Sequence, residues 1–173
     1  PVKANFAQQF DIFRSGHAWS MTSLYMMTFG AFSGLAATFP LLIKQIYGGF
    51  EGAPDPLAWA FYGPLVGSAA RVVAGPLSDK LGGARVTHWA GLGMLASTVW
   101  VTTLTSPTGL DSFPMFVAGM LTMFFFAGVG NASTFKQMPM LFEPRQAGGV
   151  IGFTAAIAAY PELGNTDIPG YAP

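Results

Sequence analysis

Four long stretches with almost no charge decide what this sequence can fold into. Residues 18–43, 86–110 and 112–135 contain no Asp, Glu, Lys or Arg, and residues 56–78 contain only Arg71. These stretches are 26, 25, 24 and 23 residues long. A bilayer core about 30 Å thick is crossed by roughly 20 helical residues. A segment in lipid must satisfy its own backbone hydrogen bonds, which a helix does within itself. The pattern predicts an all-α integral membrane protein with four full transmembrane helices, over residues 18–43, 56–78, 86–107 and 113–136. A fifth span begins as AGGVIGFTAAIAAY and is truncated, because Pro161, Glu162, Gly164 and Asp167 follow it. It is expected over residues 147–160, with a polar tail at 161–173.

Composition narrows the function. Only 9% of residues are charged, against roughly 25% in soluble domains. The net charge is zero, so the positive footprint that nucleic-acid binding needs is missing. There is no cysteine, which excludes disulfide scaffolds and thiolate metal sites. His17 and His88 stand at the ends of different spans, a poor arrangement for a metal. No catalytic constellation or phosphate loop is present. We expect no enzyme, no cofactor and no metal.

Placing the first 17 residues in the cytoplasm puts Lys3, Arg14, Lys80, Arg85, Lys136 and Arg145 inside and only Lys44 outside. This is the bias that orients membrane proteins. The opening segment reads as the end of a cytoplasmic loop, with Phe6, Phe10 and Phe13 at helical spacing. The chain begins at Pro1 and is expected to be an internal piece of a longer polypeptide. Phe124, Phe125 and Phe126 point to all sides of one helix and read as lipid contact and packing. Lys136 reads as a lysine snorkelling to the interface.

Arg71 is the most informative residue. It stands nine residues before Lys80, or about 14 Å at the helical rise, and so near the bilayer midplane. A charge there costs at least about 2.5–3.5 kcal/mol and marks ion or substrate paths. No acid lies within any expected span, so the candidate partner is an anion. A planar guanidinium suits a small planar oxyanion. Pairing with an acid elsewhere, or snorkelling, is the competing reading. Tyr25 and Phe29 share a helix face at depths of about 10 and 16 Å, which bracket Arg71. They are candidate pocket walls or ordinary packing.

The segment GPLSDKLGGAR joins the second and third spans on the inside. Gly75, Asp79, Lys80, Gly82 and Arg85 form either a gating loop or a plain turn with solvated charges. This segment resembles the loop motif of the major facilitator superfamily. The blocks MTSLYMMTFGAFSG, FPLLIKQIYGGF, GPLVGSAARVVAGPLSDKLGGARVT, GVGNASTFKQMPMLF and AGGVIGFTAAIAAY are similar to its nitrate/nitrite porter family, in the same order. The resemblance implies a partial six-helix bundle, the C-terminal half of a carrier that works by alternating access in a cell membrane, the inner membrane of a bacterium. It implies nitrate or nitrite as the partner, alongside membrane lipid and a missing N-terminal half. Arg71 matches the arginine that holds the anion with an equivalent one in the other half. Tyr25 and Phe29 match pocket residues, and Gly148, Gly149 and Gly152 fall in a glycine-rich signature. The tail after Tyr160 departs from the family pattern. The alternatives are a porter of another small anion in the same superfamily, or a remnant that transports nothing.

Overall fold

The computed structural model describes residues 14–163, all of them in helices or the turns between them. The expected short helix around Phe6, Phe10 and Phe13 lies outside the described residues, as does the end of the polar tail.

The first rod runs from Gly16 to Tyr47. It consists of α1 (Gly16–Tyr25), a π-helical turn (Met26–Gly30) and α2 (Ala31–Tyr47). Then come α3 (Pro56–Ala60), α4 (Tyr62–Leu81), α5 (Gly83–Thr102), a 3-10 turn (Leu110–Ser112), α6 (Phe113–Leu141) and α7 (Pro144–Leu163). Local chemistry sets several ends. Asp55 caps α3 by accepting the Leu57 amide at 3.0 Å, with Pro56 in the first turn. Gly82 separates α4 from α5 at φ +87°, a conformation that a side chain disfavours.

Three helical stretches are long and apolar enough to cross a membrane: Gly16–Tyr47, Pro56–Leu81 and Leu110–Leu141. The expected third span is helical but falls outside that group. It begins at Gly83 and stops at Thr102 rather than near 107, because turn formers (Thr105, Ser106, Pro107 and Gly109) follow. Arg85, His88 and several Gly, Ser and Thr dilute its apolar character. The last helix carries through Pro161 to Leu163, past the stop expected from the proline.

α6 is the central post. Gly63 of α4 makes room for the Phe124 ring, and Gly67 meets Gly128. The stem of Lys136 passes over Gly75. The constant offset between these pairs shows that α4 and α6 run parallel. α5 runs antiparallel to α6: Gly83 meets Gln137, Gly93 meets the Phe126 ring and Gly119 meets Val101. Small residues let membrane helices approach closely, and Gly67, Ala70 and Ala74 are all buried. The Thr87 and Ser133 hydroxyls are 2.7 Å apart, and Gln137 donates to Thr87 at 2.8 Å.

Two apolar clusters result. One gathers Phe39, Ile43, Tyr47, Phe113, Phe116 and Phe124 around the far end of the first rod. The other gathers Met21, Tyr25, Met138, Phe142 and Val150 around its beginning. The run of three phenylalanines divides between roles. Phe124 is fully buried in the first cluster, Phe125 is exposed, and Phe126 packs over Gly93.

Candidate functional site

Arg71 projects from the middle of α4 over the seam between the two clusters. Its guanidinium carbon lies 4.2 Å from the centroid of the Phe32 ring and 5.8 Å from that of Phe29. Phe32 packs against the first cluster and Phe29 against the second. Nε and Nη2 of Arg71 are buried with no hydrogen-bond partner. Buried donors left unmade carry a penalty of about 1–3 kcal/mol each, and more when charged. The aromatic faces offset part of that through cation–π attraction. They accept no N–H···O hydrogen bond, so the two nitrogens still call for an acceptor. The acids whose side chains the structure describes (Glu51, Asp55, Asp79, Asp111 and Glu143) stand in loops, turns or at helix ends. None lies at the level of Arg71.

The structure brings Tyr25 and Phe29 together as their spacing indicated. Their rings are stacked 5.3 Å apart with 5° between planes. Tyr25 also lies 5.9 Å from Phe135 of α6. The π-helical turn falls between Tyr25 and Ala31, so it includes Phe29. Such wide turns are rare and cluster at functional sites. Thr28, fully buried within it, donates to the carbonyls of Leu24 at 3.0 Å and Tyr25 at 3.3 Å. Sequence reasoning passed over Phe32, the ring nearest the guanidinium. Its spacing was sufficient to find it, since 25, 29 and 32 lie on one helical stripe.

The signature glycines are not drawn to Arg71 by any described contact. A Cβ at Gly148 or Gly152 would meet nothing within 4 Å. The opposite face of α7 is the packed one. Val150, Thr154 and Ala158 are buried there, and the Thr154 hydroxyl lies 3.0 Å from that of Thr22 on α1.

The GPLSDKLGGAR segment is tighter than a loop. α4 runs to Leu81, beyond Asp79, and α5 starts at Gly83. Asp79 forms an ion pair with Lys136 of α6. The snorkelling reading of Lys136 is thereby corrected: the lysine ties the end of α4 to α6. Its stem passes Gly75, where a Cβ would make ordinary van der Waals contact at 3.9 Å. Lys80 and Arg85 are exposed, as are His17 and His88.

These helices define a polytopic helical membrane protein with a half-buried arginine, two of whose nitrogens are buried and unpaired, among aromatic rings. No known family model matches the sequence. The chain is a relative of nitrate/nitrite transporters along nearly its whole length. It is 69% identical over 160 residues to a protein of Thermus thermophilus named probable nitrate/nitrite antiporter NarK2, which is 92% of this chain and 36% of that protein. It is 36% identical to the nitrate/nitrite transporter NarU of Escherichia coli, over 82% of this chain and 30% of NarU. The nitrite extrusion protein of Bacillus subtilis matches at 29%, over 84% of this chain and 35% of its own length. The chain thus spans about a third of the length of the curated relatives it matches. These relatives are named as transporters and antiporters, not as enzymes.

Proposed function

We propose that this chain is the anion-binding part of a nitrate/nitrite carrier of the major facilitator type, seated in a bacterial inner membrane. One observation carries the reading: half-buried Arg71 lies against aromatic rings, with its buried Nε and Nη2 lacking an acceptor. A planar oxyanion supplies an acceptor for both, in the fork geometry that arginine favours. Tyr25 and Phe29 form the wall on one side. In a carrier, a six-helix half with its own arginine would face this one across a midplane site, and the two halves would rock around it. Two facing cations repel when the site is empty, which disfavours closure without cargo and suits exchange of one anion for another. In this reading α5 serves as the fourth full span, its polar face turned to α6. Gly148, Gly149 and Gly152 on α7 leave room for another helix to slide past.

The test is counterflow in liposomes. The carrier is the Thermus relative with this chain in place of its matching third. Labelled nitrate should enter vesicles loaded with nitrite and should not enter vesicles without an exchangeable anion. Entry driven only by a different small anion would transfer the site to that anion. No entry under any condition would leave the chain a remnant.

The Asp79–Lys136 pair gives a second prediction. Both side chains are largely exposed, at 52% and 40%, and an exposed pair is worth about 0–1 kcal/mol. Asp79→Asn should therefore leave thermal stability within a few degrees. If the pair is a gate holding α4 to α6 in one state, the same variant should change the exchange rate severalfold. An unchanged rate would reduce the segment to a turn.

A further inference from the structure

Asn131 is buried on α6 with 6% of its surface exposed, and its Nδ2 has no hydrogen-bond partner. An amide donor stranded in an apolar bundle is costly, so its position needs a reason. Residues 124, 128, 131 and 135 form one stripe along α6. The other three have known contacts. Phe124 lies in edge-to-face contact with Phe32, at 5.9 Å. Gly128 meets Gly67, one turn before Arg71 on α4. Phe135 meets Tyr25, whose stacked neighbour Phe29 flanks the guanidinium. The parallel register of α4 and α6 sets position 71 level with positions 131 and 132. Asn131 is therefore bracketed above and below by residues that touch the walls of the Arg71 site.

We infer that Asn131 is a further donor of the anion site, presenting its Nδ2–H to the same oxyanion that Arg71 holds. The inference rests on the proposed anion-binding reading and extends it to α6. A guanidinium and an amide, both unpaired at one level, make a donor set that takes acceptors and rejects cations. The amide adds a fixed direction that a point charge lacks, so it favours an oxyanion with an oxygen placed to meet it.

The experiment measures nitrate binding by the increase in melting temperature of the purified full-length chimera described above. A ligand that binds the folded state raises that temperature with its concentration. Asn131→Ala and Asn131→Leu are compared with Arg71→Lys. Losing one hydrogen bond to a charged group should weaken nitrate about 10- to 100-fold, and the nitrate-dependent increase should shrink accordingly. The anion-free protein should melt at the same temperature or higher, because a stranded donor has been removed. A residue with only a structural role would give the opposite pattern: a lower anion-free melting temperature and an intact nitrate increase. That pattern would overturn the inference. An intact increase in the Asn131 variants beside a lost one in Arg71→Lys overturns the role of Asn131 alone. An intact increase in all three variants overturns the anion-binding reading itself.

Discussion

Arg71→Lys is expected to abolish nearly all nitrate exchange while keeping the charge. The lysine ammonium is a compact point donor on a flexible stem, whereas the guanidinium is a rigid fork. Here the fork is held against Phe32 at 4.2 Å, with Nε and Nη2 directed away from any protein acceptor. Two charge-assisted hydrogen bonds are worth about 1.5–3 kcal/mol each. Lysine retains at most one of them and loses the planar stacking on the ring. A fall of about 100-fold in nitrate affinity follows. Arg71→Met carries the complementary sign. It should also lose exchange, yet its anion-free form should be more stable, because a charge in a membrane span costs at least about 2.5–3.5 kcal/mol. Binding titrations together with anion-free melting of both variants check this. Nitrate affinity retained in Arg71→Lys would exclude a two-point grip. A less stable Arg71→Met protein would show that the guanidinium has a structural partner in the complete carrier.

The helices were legible because charge is the dearest thing to bury in lipid. Its absence over residues 18–43 and 112–135 marked two rods before any contact was known. The Arg71 site was half legible for the same reason: one base in an apolar run is conspicuous, and helical spacing supplied Tyr25 and Phe29. What was hidden depends on other helices. The π-helical turn at Met26–Gly30 has no local sequence signature. The Asp79–Lys136 pair joins residues 57 positions apart, and only the parallel register of α4 and α6 brings them together. Asn131 passed unnoticed because one neutral amide among Gly, Ala, Ser and Thr carries no charge signal. α7 ends at Leu163 rather than at Tyr160, because a proline forfeits one backbone hydrogen bond but is tolerated in membrane helices.

That register hangs on a glycine pair, and the strongest expected effect on stability falls there. A Cβ on Gly128 would run into the Gly67 carbonyl and lie 3.0 Å from the Gly67 Cα. The obstacle is backbone rather than the tip of a flexible side chain, so relief requires α4 and α6 to separate. Gly128→Ala gains up to about 1 kcal/mol of helix propensity, but overpacking a well-filled contact costs about 1–3 kcal/mol. The net change should be destabilising, and Gly128→Val should be worse, since the added volume meets the same backbone. Gly34 in α2 is the matched control: a Cβ there meets nothing within 4 Å, so Gly34→Ala should be neutral or stabilising. Arg71 stands one turn beyond Gly67, so separating the helices also shifts its guanidinium relative to α6, which carries Asn131. Gly128→Ala should then lose nitrate affinity along with stability, whereas Gly34→Ala loses neither. Melting temperatures and nitrate titrations of the two alanine variants decide it. Equal stability in both would mean that α4 and α6 do not meet at this glycine pair in the assembled carrier.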